Sequence, residues 1–239
     1  METTGTTGVP MASYVVRVWL PDRPGALGRV ASRIGAVHGD VIGIDILERG
    51  GGRVIDELVV AMPADTTVAA LVASIAQVDG VDVEDVQRVV GERPEPGLAA
   101  LYLAECLAAT APGGRLAVFC DGVSTLFDAD WVSVIDPARG AVVRTVGLGP
   151  DPAWLAAFID GSRHLAGRSS ADDSGPDDST AARPEDTAPG ELAWASLDSV
   201  EQVLAFGRAV RPVRIRERRQ LSALCRLASS LLDESSQAR

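Results

Sequence analysis

The residues best placed to do chemistry form a short turn, Asp22-Arg23-Pro24-Gly25, between a predicted strand and a predicted helix. Pro24 fixes its own φ and disfavours helical geometry at Arg23, and Gly25 lets a ligand approach the backbone closely. The helix begins directly after the turn, so its first amides are unpaired and carry the positive end of the helix dipole. A carboxylate bound there gains about 0.3–1 kcal/mol from the dipole. Because Asp22 can accept an ammonium, the turn offers partners for both charged groups of a free α-amino acid.

The elements that must position this turn alternate between strand and helix periodicity. Alternating apolar residues predict four strands, at residues 14–20, 41–47, 54–62 and 81–89. Apolar residues at spacings of three and four predict two helices, at residues 26–37 and 67–78. Gly39 is expected to end the first helix, and Gly50-Gly51-Gly52 to form a tight hairpin turn. The resulting order is βαββαβ, which is the ferredoxin-like split motif and an α+β fold.

Two motifs in this segment closely resemble the ACT domain: residues 21–27 (Pro-Asp-Arg-Pro-Gly-Ala-Leu) and residues 38–45 (His-Gly-Asp-Val-Ile-Gly-Ile-Asp). The resemblance covers about residues 13–90, within a domain predicted at 12–90. It implies a regulatory module that usually binds amino acids, with two modules side by side in one eight-stranded sheet. The ligand would lie between the first turn of one subunit and the second strand of the other. On matching positions, one subunit would contribute Asp22, Arg23, Pro24, Gly25, Ala26 and Leu27, and its partner Asp40, Val41, Ile42 and Gly43.

One position departs from the family pattern. Members with known ligands often carry asparagine where this chain has Asp40. A carboxylate there would repel the carboxylate of an amino acid unless Arg23 compensates. A dimerisation or scaffold module without a ligand is therefore the alternative to an amino-acid-binding regulatory protein. A regulatory subunit of an amino-acid metabolic enzyme is a third hypothesis, and an unknown protein partner is compatible with each.

A linker at residues 91–97 is predicted to separate this module from a second region at 98–232, because its prolines and glycines cannot continue a helix or a central strand. Residues 168–190 contain no large apolar side chain and are predicted to be a disordered acidic insertion within that region. Residues 1–11 and 233–239 are expected to be tails.

The second region is predicted to mix helices and strands. Apolar spacing predicts helices near residues 98–107 and 154–159 and a long terminal helix at 216–232. Apolar and β-branched runs predict strands at residues 115–120, 131–135, 142–146, 192–197 and 202–206. This order looks like a GAF-type domain, and residues 216–232 also resemble that family in sequence. The resemblance implies a second α+β domain.

Arginines concentrate around the start of the terminal helix and invite an anion-binding hypothesis: Arg208, Arg211, Arg214, Arg216, Arg218 and Arg219. No helix-turn-helix pattern and no aromatic platform accompany them. The net charge of -11 also disfavours general nucleic-acid binding. We therefore expect a solvated junction between strand and helix, facing the acidic insertion.

The sequence contains no catalytic signature. It lacks a P-loop, a nucleophile elbow, an HExxH motif and a GxGxxG motif after a strand. Cys106, Cys120 and Cys225 are widely spaced and lie in apolar stretches, which predicts buried thiols without a disulfide framework or a zinc site. We accordingly predict a protein that is not an enzyme and that has no cofactor and no metal.

The sequence carries no targeting or membrane signal. No apolar run approaches the roughly 20 residues that a membrane helix needs. The N-terminus lacks the basic and apolar regions of a signal peptide. These absences predict a cytoplasmic protein that binds no membrane, and the resemblance to the ACT domain implies a homodimer that binds a small-molecule amino acid.

Overall fold

A computed structural model describes residues 10–91, 95–169 and 192–237, with the side chains of 164–169 and 233–237 outside the description. The predicted N-terminal tail and the acidic insertion fall largely outside these residues, whereas residues 233–237, which were expected to be part of a tail, are helical. The chain divides into two compact units, residues 1–95 and 96–239. Both units are mixed α and β, with one four-stranded antiparallel sheet in each.

The first unit has the element order βαββαβ, which confirms the order predicted from periodicity. Its strands are β1 (Met11–Pro21), β2 (Asp40–Gly50), β3 (Arg53–Pro63) and β4 (Asp82–Arg88), and its helices are α1 (Ala26–Ala36) and α2 (Val68–Ile75). The strands lie in the order β2-β3-β1-β4, and every neighbouring pair is antiparallel. Strands β2 and β4 are therefore the two edges of the sheet.

Alternation along the strands places the core on one face of this sheet. Val16 and Val18 of β1 are fully buried against Val30 and Ile34 of α1 in a single apolar cluster. Leu71 belongs to the same cluster and anchors α2. Burying each such side chain stabilises the folded unit by about 1.5–3 kcal/mol. Apolar residues with a period of two in the strands and of 3.6 in the helices place these side chains on the faces that meet.

Two turns in the first unit depend on left-handed backbone. Gly51 and Gly52 both have positive φ and form the predicted tight hairpin turn between β2 and β3. The expectation that Gly39 ends α1 was wrong in detail, because the left-handed residue is His38, with a φ of 59°. Glycine is required at position 39 for a steric reason, because a Cβ atom there would lie 2.8 Å from Cγ2 of Ile34.

The second unit has a four-stranded antiparallel sheet with helices on both faces. Its strands are β5 (Trp131–Asp136), β6 (Ala141–Gly147), β7 (Leu192–Leu197) and β8 (Gln202–Gly207), in the order β6-β5-β8-β7. Its helices are α3 (Pro96–Ala109), α4 (Pro112–Phe127), α5 (Pro152–Ser169) and α6 (Ile215–Gln237), with a short 3-10 helix at Asp198–Val200. One apolar cluster joins the sheet to α3, α4 and α6, and another joins it to α5.

Three sequence-based expectations for this unit were wrong. The strand predicted at 115–120 is part of α4, because Phe119, Val123 and Phe127 continue the run at helical spacing and are buried. A short apolar run alone does not separate a strand from a buried helix. Helix α3 begins at Pro96, inside the predicted linker. Cys106 is exposed, whereas Cys120 and Cys225 are buried as expected.

Candidate functional site

The turn after β1 is fixed to the hairpin between β2 and β3. The amide of Asp22 donates to the carbonyl of Gly52 at 2.9 Å, and the amide of Ala26 donates to the carbonyl of Arg23 at 3.2 Å. Gly25 caps α1 with a φ of 80°, a left-handed conformation that glycine adopts without strain. The turn therefore holds the first amides of α1 in a defined place.

The two halves of the predicted site, residues 22–27 and residues 40–43, lie far apart within one chain. Residues 22–27 lie where β1 ends, and Pro21 pairs with Arg53 of β3. Asp40, at the start of β2, pairs instead with Ala61 of β3. Eight residues of strand separate Arg53 from Ala61, which corresponds to about 26 Å at 3.2–3.4 Å per residue. Residues 40–43 of the same chain are thus too far from the turn to contact the same small ligand.

The second half of the predicted site lies on an exposed sheet edge. Three isoleucines on β2 keep much of their surface accessible: Ile42 is 58% exposed, Ile44 51% and Ile46 41%. The register with β3 passes from Val41 directly to Gly43, so Ile42 is the extra residue of a β-bulge. An edge strand of eleven residues with exposed apolar side chains is a surface on which another strand can pair.

Sequence reasoning missed a buried acid on β3. Asp56 is 3% exposed, and its Oδ1 accepts no hydrogen bond from any described residue. Burial raises the pKa of this carboxyl above its usual range, Arg49 opposes that rise and the carboxylate of Asp22 adds to it. Asp56 occupies a strand position opposite Val18, where the alternation predicts an apolar side chain. The break in that alternation was the available signal.

Arg49 lies beside both acids. Its Nη1 is 3.9 Å from Oδ1 of Asp22, and both side chains are exposed. An exposed pair at this distance contributes about 0–1 kcal/mol, so a ligand can displace it. The turn end of the sheet therefore combines two carboxylates, one guanidinium and the N-terminal end of α1.

The arginine-rich segment of the second unit is not a solvated junction, contrary to expectation. Arg208 is 5% exposed, and its Nη2 donates to both carboxylate oxygens of Glu217 at 2.8 and 2.7 Å. Its guanidinium also donates to the carbonyls of Phe127 and Arg211. Nη2 of Arg211 donates to Asp128 at 2.7 Å. Folding brings these acids to the arginines. Arg208 and Glu217 form a buried ion pair, and the buried Arg211 pairs with the exposed Asp128, whereas Arg219 is exposed.

Two side chains of the second unit that carry nucleophilic atoms, Cys120 and Ser133, are buried. Burial raises the pKa of the Cys120 thiol to about 11, so the thiol is protonated and weakly nucleophilic at neutral pH. Oγ of Ser133 is 2.6 Å from Oγ1 of Thr145. Within the described ranges, no group of three or more His, Cys, Asp or Glu side chains is placed to hold a metal ion. Among the same residues, no helix is long and apolar enough to cross a membrane.

The chain matches no model of a known protein family and no curated protein sequence. Among solved structures, it is similar to the C-terminal domain of the MgtC protein from Mycobacterium tuberculosis, with 21% identity over 40% of this chain and 98% of that chain and a TM-score of 0.27. It is similar to a formyltetrahydrofolate deformylase from Pseudomonas putida KT2440, with 16% identity over 39% of this chain and a TM-score of 0.27, and it spans only 38% of that enzyme. An unknown protein from Galdieria sulphuraria is 10% identical, with 95% of this chain and 94% of that chain covered and a TM-score of 0.32. Likenesses at these TM-scores carry no argument about function.

Proposed function

We propose that the first unit is a ferredoxin-like, ACT-type module that binds a free amino acid between two copies of the chain and acts as a regulatory sensor. The observation that carries the proposal is the separation of the two motif halves. Residues 22–27 and residues 40–43 lie at opposite ends of one sheet, so one ligand contacts both only if a second copy supplies one half.

The edge strand supplies a way to join the halves. Two β2 strands related by a two-fold axis perpendicular to the sheet would run antiparallel, as in an isologous dimer. Asp40 of one copy would then lie beside Gly50 of the other, and Gly50 precedes the hairpin that accepts the Asp22 amide. The same pairing would cover the exposed isoleucines of β2 and remove an unprotected edge.

The charges near the turn suit an amino acid. The amides of Leu27 and Gly28 in the first turn of α1 would receive the carboxylate, helped by the helix dipole. Asp22 would accept the ammonium. The carboxylate of Asp56 is buried and interacts electrostatically with Asp22. A cation bound at Asp22 would therefore favour the charged form of Asp56. The ligand would thus relieve an unfavourable buried charge.

Regulation would follow from the position of the ligand between subunits. A ligand that binds only the paired state shifts the equilibrium toward that state, in proportion to its difference in affinity. The second unit, for which we propose a GAF-like assignment on element order alone, would transmit the change to a protein partner. No catalytic step is part of this proposal.

One contact favours the alternative of a dimerisation module without a ligand. Arg49 already lies 3.9 Å from Asp22, which partly satisfies the carboxylate proposed to hold the ammonium. Asp40 would add negative charge where the ligand carboxylate enters. A regulatory subunit of an amino-acid metabolic enzyme would use the same dimer and is compatible with either case.

Thermal unfolding of the full chain with each of the twenty amino acids at millimolar concentration tests ligand binding. We expect at least one amino acid to raise Tm, because a ligand at 100 times its Kd adds about 2.7 kcal/mol. Asp22→Ala should abolish that rise. Asp65→Ala, at an exposed aspartate in the turn before α2, should keep it. A folded protein that responds to none of the twenty favours the module without a ligand, and an unchanged rise in Asp22→Ala removes Asp22 from the site.

Molar mass in solution tests the proposed dimer independently of any ligand. Ile44→Glu places a charge on the β2 edge and should convert the dimer to a monomer, because two carboxylates would be desolvated without partners. Val143→Glu is a matched control, since Val143 is an exposed apolar residue on β6, an edge strand of the second sheet. Light scattering after size exclusion gives the mass. A dimer that persists in Ile44→Glu, or that is lost equally in both variants, excludes pairing through β2.

A further inference from the structure

The helix side of the first unit contains a cleft in which only Arg23 belongs to either motif. It has a volume of about 500 Å³ and lies along α1 and the segment that follows α2. Its lining residues are mostly polar or charged: Arg23, Arg29, Ser32, Arg33, Gln77, Val78 and Asp79. Ligand sites for small molecules typically have volumes of 300–1,000 Å³, so the cleft is of suitable size.

The cleft gathers positive charge. Arg29 and Arg33 are four residues apart and lie on one face of α1, and Arg23 extends from the turn that precedes this helix. Like charges at this spacing repel, so their grouping costs free energy when nothing negative lies between them. The opposing carboxylate in the cleft is that of Asp79, which leaves an excess of two positive charges.

These arginines are available to a ligand. Among the described residues, the ion pairs of the first unit use Arg17, Arg49 and Arg53 and leave out the three arginines of the cleft. All three cleft arginines are exposed. Helix α1 has no acidic residue, although the chain as a whole carries a net charge of -11. The excess of positive charge on α1 and the preceding turn therefore contrasts with the negative charge of the chain as a whole.

The remaining lining residues indicate the kind of anion. Guanidinium groups donate in pairs to the oxygens of a phosphate, and a phosphate monoester carries about 1.5–2 negative charges at pH 7. The side-chain amide of Gln77 adds a donor, whereas the hydroxyl of Ser32 donates to the carbonyl of Gly28 at 2.9 Å. Val78 also lines the cleft and contributes apolar atoms to its wall, although most of this side chain is buried in the core. We propose that this cleft binds a small molecule bearing a phosphate monoester, at a site that shares only Arg23 with the proposed amino-acid site.

Calorimetric titration of the full chain tests this proposal with three probes: phenyl phosphate, inorganic phosphate and succinate, at matched ionic strength. Phenyl phosphate should bind most tightly, inorganic phosphate more weakly and succinate least. Binding should weaken severalfold between 50 and 300 mM NaCl, because exposed charges are screened. Equal binding of inorganic phosphate and phenyl phosphate would overturn the assignment to an ester. Succinate binding as tightly as phosphate would overturn the assignment to phosphate.

Variants locate the site. Arg29→Gln and Arg33→Gln should each raise the Kd for phenyl phosphate about tenfold, which is the loss of one charge-assisted contact of about 1.4 kcal/mol. Arg88→Gln removes an exposed arginine at the end of β4, outside the cleft, and should leave the Kd unchanged. Equal effects of all three variants would mean nonspecific attraction and would refute the site. None of these residues belongs to the proposed amino-acid site, so the two proposals can fail separately.

A measurement on the unaltered chain avoids dependence on variant folding. In a 15N-labelled sample, phenyl phosphate should shift the backbone amide signals of Ser32 and Gln77. Shifts confined to another part of the chain would overturn the proposal. Binding of polyglutamate without binding of phenyl phosphate would also overturn it and would indicate an acidic protein partner.

Discussion

Two groups of arginines that look alike in the sequence have opposite roles in the structure. In the second unit, Arg208 is buried and paired with Glu217, and Arg211 is paired with Asp128. In the first unit, the arginines of the cleft are exposed, and the ion pairs among the described residues of this unit use other arginines. The difference comes from the acids that folding brings near. Arginine-rich sequence therefore indicates neither a binding surface nor a buried network until the positions of its partners are known.

The largest effect should come from breaking the buried network. Glu217→Ala leaves the guanidinium of Arg208 buried without its carboxylate, and loss of one partner of a buried pair costs about 3–5 kcal/mol. Arg219→Ala is the matched control, because Arg219 is exposed on the same helix and should change the free energy of unfolding by less than about 0.5 kcal/mol. Chemical denaturation measures both. Similar small effects in the two variants would show that the network does not stabilise the fold.

Removal of a buried charge that has no such partners among the described residues, that of Asp56, should instead raise the free energy of unfolding. Asp56→Asn should stabilise the protein without ligand at neutral pH, because it removes a negative charge whose burial opposes folding. The pKa of Asp56 is raised in the folded state above its usual value of 3.8. Its ionisation therefore opposes folding, and this cost is absent below the unfolded pKa and grows as pH rises through the folded pKa.

The stabilisation by Asp56→Asn should accordingly be larger at pH 7 than at pH 4. Unfolding of both proteins by urea across this range measures it. Asp65→Asn, at an exposed aspartate, should show no such trend. A gain that is independent of pH would mean that the ionised carboxylate of Asp56 is not the source of the cost.

The smallest effect should come from the cleft. Arg33→Gln removes a repulsion with Arg29 and should change the free energy of unfolding by only about 0.2–0.5 kcal/mol, in the stabilising direction. The gain should shrink at high salt. Comparison of melting curves at 50 and 500 mM NaCl measures it. Strong destabilisation by Arg33→Gln would instead show that Arg33 stabilises the fold, as Arg208 is expected to do. The two groups of arginines would then not differ in this respect.

The first unit was more predictable than the second because its signals are local. Alternation in β1 and β3 and helical spacing in α1 depend on neighbouring residues, and so does the paired glycine turn at Gly51 and Gly52. The apolar run of residues 115–120 in α4 fits either a helix or a strand by itself. Its helical identity depends on packing against other elements of the second unit.

The sequence by itself determined the order of strands and helices in the first unit and the turn at Asp22, because side-chain periodicity and backbone restriction act within a few residues. Only the tertiary structure decided that residues 40–43 lie at the far end of the sheet from that turn. Only it decided that Oδ1 of the buried Asp56 meets no donor among the described residues and that Arg208 has a carboxylate partner. Distances, burial and charge pairing depend on residues far apart in the chain, and no local pattern encodes them.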